Sequence, residues 1–435
     1  MGGFPCFFLF LFLLFFTLAA AVDHCSAPST AGDIPLLRIN SKCTPFSSPS
    51  ATTTILDSVL QLSRRVDPSR LAFLSSLAAV TSVPVASGKY ILDSPIYLLR
   101  SSLGTPPQPL FLALDSASDA SFVSVTAYNF SSSSSFQTLP CSSPVCPTFK
   151  GQPCSSPSSL CTYNHSYGGG DSFSATLAQD TLRLAIDDIS SFTFGAVNSS
   201  AAGPSFPKQG LLGLGRGPFS LLSETQSLYN SVFSYCLPGY SSYYFSGSLR
   251  LGPAGQPARI HSTPLLLNPH RPSLYYVNLT GVSVGRVLVS VPPGSFAFDQ
   301  QTGAGTVVDS GTVITRFVDP AYSAVRDEFR KQVNAPAGYE SLGAFDTCFS
   351  TTTTDGVVVH PPVVTLHLEG LDLVLPAENA LIHSSAKPLA CLAMAASPAN
   401  VNAVVNVIAS YQQQNHRVLL DVPRGRVGFA RELCS

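Results

Sequence analysis

Two short segments of this chain have the same design, an apolar run that ends in an aspartate and then a turn rich in hydroxyl groups. The first is Phe111 to Ser118 (FLALDSAS) and the second is Thr306 to Thr312 (TVVDSGT). Hydrolysis by two aspartates needs such a pair, because the ionised carboxylate takes a proton from water while the protonated carboxyl stabilises the developing oxyanion. Asp115 and Asp309 are therefore the candidate catalytic residues.

The residues that follow each aspartate suit a supporting role. Ser118 and Thr312 are expected to orient the outer carboxylate oxygens by hydrogen bonds, and the small residues Ala117 and Gly311 let the two loops approach. Two carboxyl groups at hydrogen-bond distance cannot both ionise, so they share a proton. The residues predicted to support the catalytic loops are Ser116, Ser118, Ser310, Gly311 and Thr312.

Each motif also has a simpler interpretation. A single aspartate at a strand end is most often a turn former, and it is the presence of two in matching positions that favours catalysis. Ser310 beside Asp309 does not predict a serine hydrolase, because no Gly-x-Ser-x-Gly turn surrounds it. The GLGRG string after Leu212 lacks the spacing and the lysine of a phosphate loop, so it predicts strand packing beside the catalytic loop.

Length and composition limit the kind of molecule. With 435 residues the chain exceeds one typical core, which indicates two domains or one domain with a pro-segment. Charged residues make up 11% and the formal net charge is −1, so no basic stripe is available and no nucleic-acid partner is expected. The eight histidines form no metal-like pair, and neither a metal nor an organic cofactor is predicted.

The start of the chain predicts export. Phe7 to Leu18 form an almost unbroken Phe/Leu run and Ala19 to Ala21 follow, so residues 1–21 match the apolar region and cleavage site of a signal peptide. The usual basic start is missing, and a retained anchor is the alternative, although the run is slightly short for a membrane span. No stable membrane insertion is expected once the signal is removed.

Residues 22–86 look like a pro-segment, with little strand alternation and one predicted helix over Ile55 to Leu77. Two interpretations fit the basic residues Arg64, Arg65 and Arg70 of this helix equally well. They either pair with the catalytic carboxylates before activation or form a solvated helix face.

The cysteines indicate disulfides rather than metal ligands, because thiols oxidise in an exported chain. Eleven cysteines are present, and loss of Cys6 with the signal leaves ten. No short-spaced cysteine pair has a matching pair downstream, which argues against zinc. Cys25 and Cys43 are candidates to pair with each other. Four sequons fit a secreted glycoprotein, at Asn129, Asn164, Asn198 and Asn278.

Beyond the pro-segment, short runs separated by turn residues predict a mainly β protein. The predicted strands include Tyr90 to Leu99, Leu110 to Leu114, Ser191 to Phe194, Tyr275 to Val284, Val363 to Leu368 and Arg417 to Asp421. Packing helices are expected over Leu221 to Leu228 and Pro320 to Val333. Gly252 to Pro272 is the predicted boundary between halves. Each half has a later apolar run beside a small residue, Leu211 to Gly213 and Val407 to Ala409, which indicates an internal duplication.

From about Val83 to Ser435 the chain resembles the pepsin-like aspartic peptidases, and more closely their plant nepenthesin-type branch, including apoplastic members with an altered first motif. The matching stretches are LGTPPQ, LDSASDASF, YNHSYGGGDSFSA, QGLLGLGRGPFSLLS, FSYCLP, SLYYVNLTGVSVG, GAGTVVDSGTVITRF, FDTCF and NVIASYQQQNHRVLLD. The resemblance implies a bilobal, mainly β fold with lobes at residues 87–262 and 263–435. One aspartate from each lobe would lie at the floor of the cleft between them.

The resemblance also implies a flap hairpin over the substrate, with Tyr167 as its tyrosine and Gly168 and Gly169 after it. A buried structural tyrosine is the alternative. The family's pattern further implies four disulfides, Cys141 with Cys161, Cys146 with Cys154 nested inside it, Cys236 with Cys434, and Cys348 with Cys391. The first two would rigidify the loop after the first catalytic turn.

The chain departs from the family's pattern around the first motif. Ala117 replaces the usual glycine, and Phe122 replaces the usual tryptophan, so a hydrogen-bond donor to the flap tyrosine is lost. The branch's additional cysteines are replaced by Ser124 to Ser135 and by Ala196, which removes both ends of one bridge. A more mobile flap is therefore predicted, with weaker hydrogen-exchange protection over Tyr163 to Phe173 than in ordinary members.

The resemblance implies a secreted endopeptidase, made as a zymogen, that cleaves extended polypeptides between apolar residues at acidic pH. A monomer in the apoplast and cell wall, or in the vacuole, is expected. The main alternative is a non-catalytic inhibitor or recognition protein of the cell wall. Asp115, Asp309 and Tyr167 favour the enzyme, whereas Ala117 and Phe122 leave room for the alternative. A carbohydrate-binding protein has little support, because the chain has no tryptophan platform.

Overall fold

A computed structural model describes residues 33–38, 60, 63, 64, 67, 97–149, 154–166, 172–200, 207, 209–239, 247–352, 356–384, 387–398 and 403–434. Several predicted features lie outside these residues and stay predictions: the signal peptide, the pro-segment junction near residue 86, Cys25, Cys43, Arg65, Arg70, Tyr167, Gly168 and Gly169.

The described chain is mainly β, as predicted. The strands of its first part are Asp33–Arg38 (β1), Tyr97–Leu103 (β2), Gln108–Asp115 (β3), Phe122–Ser124 (β4), Gln137–Thr138 (β5), Thr162–Ser166 (β6), Ser172–Leu184 (β7), Asp187–Ser200 (β8), Gly210–Gly213 (β9), Val232–Cys236 (β10) and Gly247–Leu251 (β11). The strands of its second part are His261–Leu266 (β12), Tyr276–Val277 (β13), Leu279–Val284 (β14), Val287–Leu288 (β15), Gly305–Asp309 (β16), Thr315–Phe317 (β17), Glu340–Leu342 (β18), Phe345–Ser350 (β19), Val364–Leu368 (β20), Leu371–Leu375 (β21), Leu381–His383 (β22), Leu389–Leu392 (β23), Met394–Ala396 (β24), Val405–Ala409 (β25), His416–Asp421 (β26) and Arg426–Arg431 (β27).

Five α-helices have both ends within the described ranges. They are Leu221–Glu224 (α1), Gln226–Tyr229 (α2), Asp319–Val333 (α3), Ala377–Ala380 (α4) and Ser410–Gln413 (α5). The described residues Leu60, Ser63, Arg64 and Asp67 are also helical, in agreement with the helix predicted over Ile55 to Leu77. The long helix α3 confirms the prediction, with Ala321, Val325 and Phe329 buried. The predicted helix over Leu221 to Leu228 is instead two short helices, because Thr225 leaves helical geometry and its hydroxyl donates to the carbonyl of Leu221. Among the described residues, none of the helices has the length and apolar character that a membrane span needs.

A central antiparallel sheet joins the two lobes, which confirms the predicted bilobal fold. Its strand order is β2, β1, β11, β10, β26, β27 and β12. Strands β2 to β9 form the N-terminal lobe around this sheet. The C-terminal lobe contains two further four-stranded sheets, of order β15, β14, β20, β21 and β18, β19, β23, β22. The backbone segment β1 lies between β2 and β11, so part of the N-terminal region belongs to the central sheet.

The two lobes repeat one arrangement of strands around the candidate aspartates. In the N-terminal lobe β3 runs parallel to β9, with Asp115 opposite Gly213. In the C-terminal lobe β16 runs parallel to β25, with Asp309 opposite Ala409. The two apolar runs noted in the sequence are thus the parallel partners of the two aspartate strands. This repetition supports the predicted duplication.

The two disulfides of the N-terminal lobe differ from the prediction. Cys141 bonds Cys154, and Cys146 bonds Cys161. The predicted pairs, Cys141 with Cys161 and Cys146 with Cys154, are wrong. The two observed disulfides differ in burial. Cys146 and Cys161 are both buried in an apolar cluster, whereas Cys154 is exposed and Cys141 is half-buried.

Backbone pairing explains why Cys141 and Cys161 do not meet. Pro140 and Leu160 face each other in an isolated antiparallel bridge, and each cysteine follows one of them. In antiparallel pairing, residues that follow two opposed positions lie diagonally on opposite sides of the bridge. The side chain of Cys161 therefore points to the buried Cys146, and Cys141 is left for Cys154.

The other two disulfides agree with the prediction. Cys348 and Cys391 are opposite each other on β19 and β23 and are bonded. Cys236 at the end of β10 bonds Cys434, across 198 residues of sequence. The second bond attaches the end of the chain to the central sheet.

A buried carboxylate orders the serine-rich segment that replaces the family's extra cysteines. Asp180 is 1% exposed and accepts hydrogen bonds from the hydroxyls of Ser133, at 3.1 Å, and Ser135, at 2.6 Å. The hydroxyl of Tyr128 and the backbone N–H of Thr181 also donate to it. These contacts support the view that the loss of the cysteines is a coherent rearrangement.

Replacing Asp180 by Ala is expected to lower the free energy of unfolding by about 2–4 kcal/mol, because several buried donors lose their acceptor together. Urea unfolding followed by fluorescence measures this. The control is Asp188→Ala, which breaks a pair with Arg183 in which both side chains are nearly half exposed and should leave the free energy of unfolding almost unchanged. Equal effects of the two substitutions would contradict the prediction.

Candidate active site

Asp115 lies at the end of β3, and the loop that follows binds its carboxylate through two donors. The backbone N–H of Ala117 donates to Oδ1 at 2.9 Å, and the hydroxyl of Ser118 donates to Oδ2 at 2.7 Å. The carbonyl of Asp115 accepts the N–H of Leu214 at 2.8 Å, so the loop is also attached to the parallel strand region. Asp115 is 3% exposed. The role predicted for Ser118 matches this geometry.

Asp309 has the same surroundings in the other lobe. The N–H of Gly311 donates to Oδ1 at 2.9 Å, and the hydroxyl of Thr312 donates to Oδ2 at 2.6 Å. Asp309 is 0% exposed. Each carboxylate therefore receives one backbone and one hydroxyl donor from its own loop, so the two aspartates have matching surroundings.

The serines beside the aspartates link the two loops across the lobe interface. The N–H of Ser116 donates to the hydroxyl of Ser310 at 3.1 Å, and the N–H of Ser310 donates to the hydroxyl of Ser116 at 3.0 Å. The Ser116 hydroxyl also lies 3.5 Å from Asp309 Oδ1. These exchanges bring the loops of Asp115 and Asp309 into direct contact.

A second carboxylate follows Asp115 by four residues and was not singled out by the sequence analysis. Asp119 Oδ1 accepts the N–H of Gly217 at 2.7 Å, and its other oxygen accepts the hydroxyl of Ser273, which belongs to the C-terminal half. Burial raises the pKa of Asp119, and the negative charge of Asp115 adds to this, while the contacts with Ser273 and Gly217 oppose it. Asp119 thus connects the first catalytic loop to both lobes.

The GLGRG string packs against this loop, as predicted. A Cβ atom at Gly215 or Gly217 would overlap the Asp119 carboxylate, and one at Gly213 would overlap its backbone carbonyl, so the close approach requires glycine. Arg216 of the same string donates to the carbonyl of Leu274 at 2.6 Å. The string is a structural contact between lobes.

Two family models cover most of the described chain. The model described as "Xylanase inhibitor N-terminal" matches residues 97–253, and the model described as "Xylanase inhibitor C-terminal" matches residues 274–431. "Aspartyl protease AED3" of Arabidopsis thaliana is 52% identical over 448 residues, covering 99% of this chain and 98% of the relative. "Aspartyl protease 25" of Oryza sativa subsp. japonica is 56% identical over 418 residues, covering 89% and 92%.

This chain belongs to the plant pepsin-like aspartic protease family. "Aspartic proteinase nepenthesin-1" of Nepenthes gracilis is 35% identical over 357 residues and covers 78% of both chains. The solved basic 7S globulin from soybean superposes with a TM-score of 0.62 at 20% identity, covering 77% of this chain and 92% of that one. At that identity the superposition supports the fold alone.

The altered first motif of this family member keeps the loop geometry. Ala117 N–H makes the same hydrogen bond as Gly311 N–H, at the same length of 2.9 Å. The additional methyl group is 4% exposed and joins an apolar cluster of the C-terminal lobe that includes Leu274, Tyr276 and Val407. The methyl group therefore adds a contact between the lobes.

Replacing Ala117 by Gly is expected to change kcat/KM by less than about threefold and to lower the free energy of unfolding by about 1 kcal/mol, because a buried methyl group is lost and the loop becomes freer. Peptide cleavage assays and urea unfolding measure the two effects. Ala196→Gly, in the buried core of the N-terminal lobe, is the control for the stability change. A more than tenfold gain in activity would mean that the methyl group obstructs the site.

Further residues around Asp309 were missed by the sequence analysis, because they act across long separations. Gln413 Nε2 donates to the carbonyls of Asp309, at 3.2 Å, and Ile408, at 2.7 Å. Its Oε1 accepts the hydroxyl of Tyr235 at 2.6 Å. Burial raises the pKa of Tyr235, with the charge of Asp309 as a second cause. The sequence feature that could have indicated this contact with Asp309 is the run of three glutamines at residues 412–414.

Phe122 fills the position of the usual tryptophan with an apolar contact. It is 3% exposed and packs against Phe173 with 5.4 Å between ring centroids. Phe173 belongs to β7 and is 6.0 Å from the ring of Tyr163 on β6. The base of the predicted flap hairpin is thus an aromatic cluster. The tip with Tyr167 lies outside the described residues, and the predicted flap mobility stays a prediction.

The four sequon asparagines have different surroundings. Asn129, Asn164 and Asn198 are exposed, as a glycan requires. Asn278 is half-buried, and its Nδ2 donates to Glu369 at 3.0 Å. Glycosylation stays a prediction, and exposure favours the first three positions.

Proposed function

We propose that this chain is an aspartic endopeptidase in which a water molecule between Asp115 and Asp309 attacks the peptide carbonyl. The observation that carries the proposal is the matched pair of loops. Each carboxylate is oriented by one backbone N–H and one hydroxyl, and the two loops hydrogen-bond to each other through Ser116 and Ser310.

The chemistry follows from the shared proton. One aspartate, ionised, removes a proton from the attacking water, and the other, protonated, donates a hydrogen bond to the oxygen that becomes negative. Ser118 and Thr312 hold one oxygen of each carboxylate, so both carboxyls keep a fixed orientation during the transfer. Proton transfer to the leaving nitrogen completes the hydrolysis without a covalent intermediate, a metal or a cofactor.

The substrates that suit this mechanism are extended polypeptides, cleaved between apolar residues. We further propose secretion through the N-terminal signal, synthesis as a zymogen with residues 22–86 as the pro-segment, and action as a glycosylated monomer in the apoplast and cell wall or the vacuole. The disulfides support an oxidising compartment. Tyr167, Gly168 and Gly169 would close over the bound peptide.

Buried carboxyl groups support an acidic working pH. Burial raises the pKa of Glu224 to about 8 and that of Asp67 to about 6. Burial also raises the pKa of Asp119. A carboxyl whose pKa is higher in the folded state stabilises the fold at low pH, and this stabilisation is lost as the pH rises through the folded value. His416 acts in the opposite direction, because burial lowers its pKa.

Glu224→Gln is expected to reduce the pH dependence of stability above the range in which His416 titrates. In the wild type, the free energy of unfolding should fall by about 2 kcal/mol between about pH 6.5 and pH 8. Over this range the Glu224 carboxyl is largely protonated in the folded protein but ionised in the unfolded chain. Glu224 Oε2 accepts the N–H of Thr193 at 2.7 Å, and Oε1 has no partner among the described residues, which suits a protonated group. Urea unfolding at several pH values measures this. A wild-type stability that is flat over this range would contradict the prediction.

The proposed activity is tested with purified, acid-processed protein and a denatured protein substrate, from about pH 3 to pH 7, with and without pepstatin. Acidic cleavage that pepstatin abolishes is the expected result. Absence of cleavage by folded and processed protein would refute the enzyme proposal.

A second candidate is a non-catalytic inhibitor or recognition protein of the cell wall. The name of both matching family models, "Xylanase inhibitor", favours this alternative, as does Phe122 in place of tryptophan. Titration of the same preparation into a xylanase assay tests it. Inhibition by folded protein that does not cleave peptides would establish the alternative.

A further inference from the structure

Part of the N-terminal segment packs on the C-terminal lobe beside the second catalytic loop. Leu60 is buried in the main apolar core, with 7% of its surface exposed. Arg64 is exposed, and its guanidinium packs against Gly343 on the surface of the C-terminal lobe, where a Cβ atom at Gly343 would overlap it. Of the two interpretations of the basic residues, pairing with the catalytic carboxylates therefore does not describe Arg64. An acidic residue makes the deep contact instead.

Asp67 occupies a site for a carboxylate immediately after the second catalytic motif. Its oxygens accept the N–H groups of Val313, at 2.9 Å, and Ile314, at 3.4 Å. The guanidinium of Arg316 donates to the same carboxylate from Nε, at 3.3 Å, and from Nη2, at 3.1 Å. Asp67 is 0% and Arg316 is 3% exposed. Val313 follows Thr312 directly, so the carboxylate holds the end of the loop that orients Asp309.

Arg316 depends on the N-terminal segment for its partners. Besides Asp67, Nη2 donates to the carbonyl of Ser63 at 3.0 Å, and Nη1 donates to the carbonyl of Ala396 at 3.0 Å. If the segment left, a buried guanidinium would lose its counter-ion and one carbonyl acceptor. The burial of Arg316 is that of the docked state, in which these contacts take the place of water around its guanidinium.

We propose that Val313, Ile314 and Arg316 form a binding site for a peptide carboxylate that retains the Leu60–Asp67 segment on the C-terminal lobe after the connecting chain is cut. The proposal rests on the proposed function, in which the segment is cut from the enzyme. In the processed protein this segment remains a bound peptide that supports the second catalytic loop. Asp67 is a positioning residue that acts on Asp309 through the loop backbone.

The pH dependence of this attachment has a definite sign. Arg316 is the charged group of the lobe that faces Asp67, and Arg64 is the charged group described on its own segment. Burial outweighs the contacts with Arg316, Val313 and Ile314 and raises the pKa of Asp67 to about 6. The docked carboxyl therefore binds its proton more tightly than the free one, so docking weakens as the pH rises through about 6. Acid alone does not release the segment.

The experiment uses the full chain with a cleavage site for a specific neutral protease inserted at Gly88, in an Asp115→Asn background that excludes self-cleavage. The cut protein is transferred to about pH 4.5 or pH 7.5 and passed over a gel-filtration column, and intact-mass measurement shows whether the fragment remains. Retention at pH 4.5 and faster loss at pH 7.5 are expected. Because no activity is measured, the outcome is independent of whether the chain is a peptidase.

Asp67→Ala in the same protein separates the carboxylate site from the contacts of β1. We expect the fragment to dissociate about 100-fold faster than in the parent at both pH values, since Val313, Ile314 and Arg316 lose their acceptor whether or not the carboxyl is ionised. Hydrogen exchange of Val313 and Ile314 in the uncut chain should increase in the same variant. Asp188→Ala, at the exposed pair with Arg183, is the control and should change neither measurement.

Two outcomes would overturn the proposal. One is complete loss of the fragment from the cut parent at pH 4.5 within the time of the gel-filtration run. The other is retention of the Asp67→Ala fragment with the parent's lifetime and unchanged exchange at Val313 and Ile314, which would assign the attachment to β1 and the apolar contact of Leu60.

Discussion

Replacing Asp309 by Asn is expected to lower peptide cleavage by at least about 1,000-fold while the protein stays folded. Asparagine preserves the shape of the side chain and its acceptor oxygen for Gly311 or Thr312. It cannot share a proton with Asp115, so the pair no longer supplies one base and one acid. Initial rates with a quenched peptide at the pH optimum, together with a thermal melt, measure both properties.

Asp115→Asn should have an effect of similar size, and the double variant should be no worse than either single variant, because the two groups act as one unit. Asp327→Asn, on the exposed face of α3, is the control. Folded Asp309→Asn protein that cleaves within tenfold of the wild-type rate would exclude the two-aspartate mechanism. It would leave the fold and family assignment unchanged.

The catalytic loops could be predicted from the sequence because their hydrogen bonds are local. Ser118 and Thr312 are three positions from the carboxylates that they bind, and the turn places them without help from distant residues. The same holds for helix α3, in which the helical repeat of Ala321, Val325 and Phe329 determines the buried face.

Contacts that depend on the three-dimensional path of the chain could not be predicted in this way. The pairing of Cys141 with Cys154 depends on which sulfur faces the core, whereas the resemblance to the family had implied a nested pattern. Gln413 reaches the carbonyl of Asp309 across 104 residues, and Asp67 reaches Val313 across 246. Gln413 and Asp67 are polar residues of types usually found at the surface, so nothing in their sequence surroundings indicates such a buried contact.

Asp119→Ala is expected to lower kcat/KM by about 10-fold to 100-fold and the free energy of unfolding by about 2–3 kcal/mol. The substitution leaves the N–H of Gly217 and the hydroxyl of Ser273 without their acceptor in a mostly buried place. It also frees the loop that begins at Asp115, and a displacement of about 1 Å at a catalytic group is enough for a loss of this size. Steady-state kinetics and urea unfolding measure the two effects.

The combination of variants separates positioning from stability. Ser273→Ala removes one of the two hydrogen bonds, so it should show part of the loss, and its effect should be small when Asp119 is already Ala. Asp119→Asn keeps the shape and one acceptor but removes a negative charge near Asp115. It should therefore keep most of the stability and move the alkaline limb of the pH profile to lower pH. Burial raises the pKa of Asp119, so its charge is present only toward the upper end of the profile, where it disfavours ionisation of the catalytic pair.

A merely structural role of Asp119 would give a different pattern. In that case Asp119→Asn would leave the pH profile in place, and the activity of Asp119→Ala would return to the wild-type value when assayed well below its melting temperature. A shifted alkaline limb in the Asn variant, with kcat affected more than KM in the Ala variant, would instead mean that this carboxylate sets the position and the electrostatic surroundings of the first catalytic loop. The chain would then use three carboxylates at its lobe interface, two for chemistry and one to hold the loop that carries the first of them.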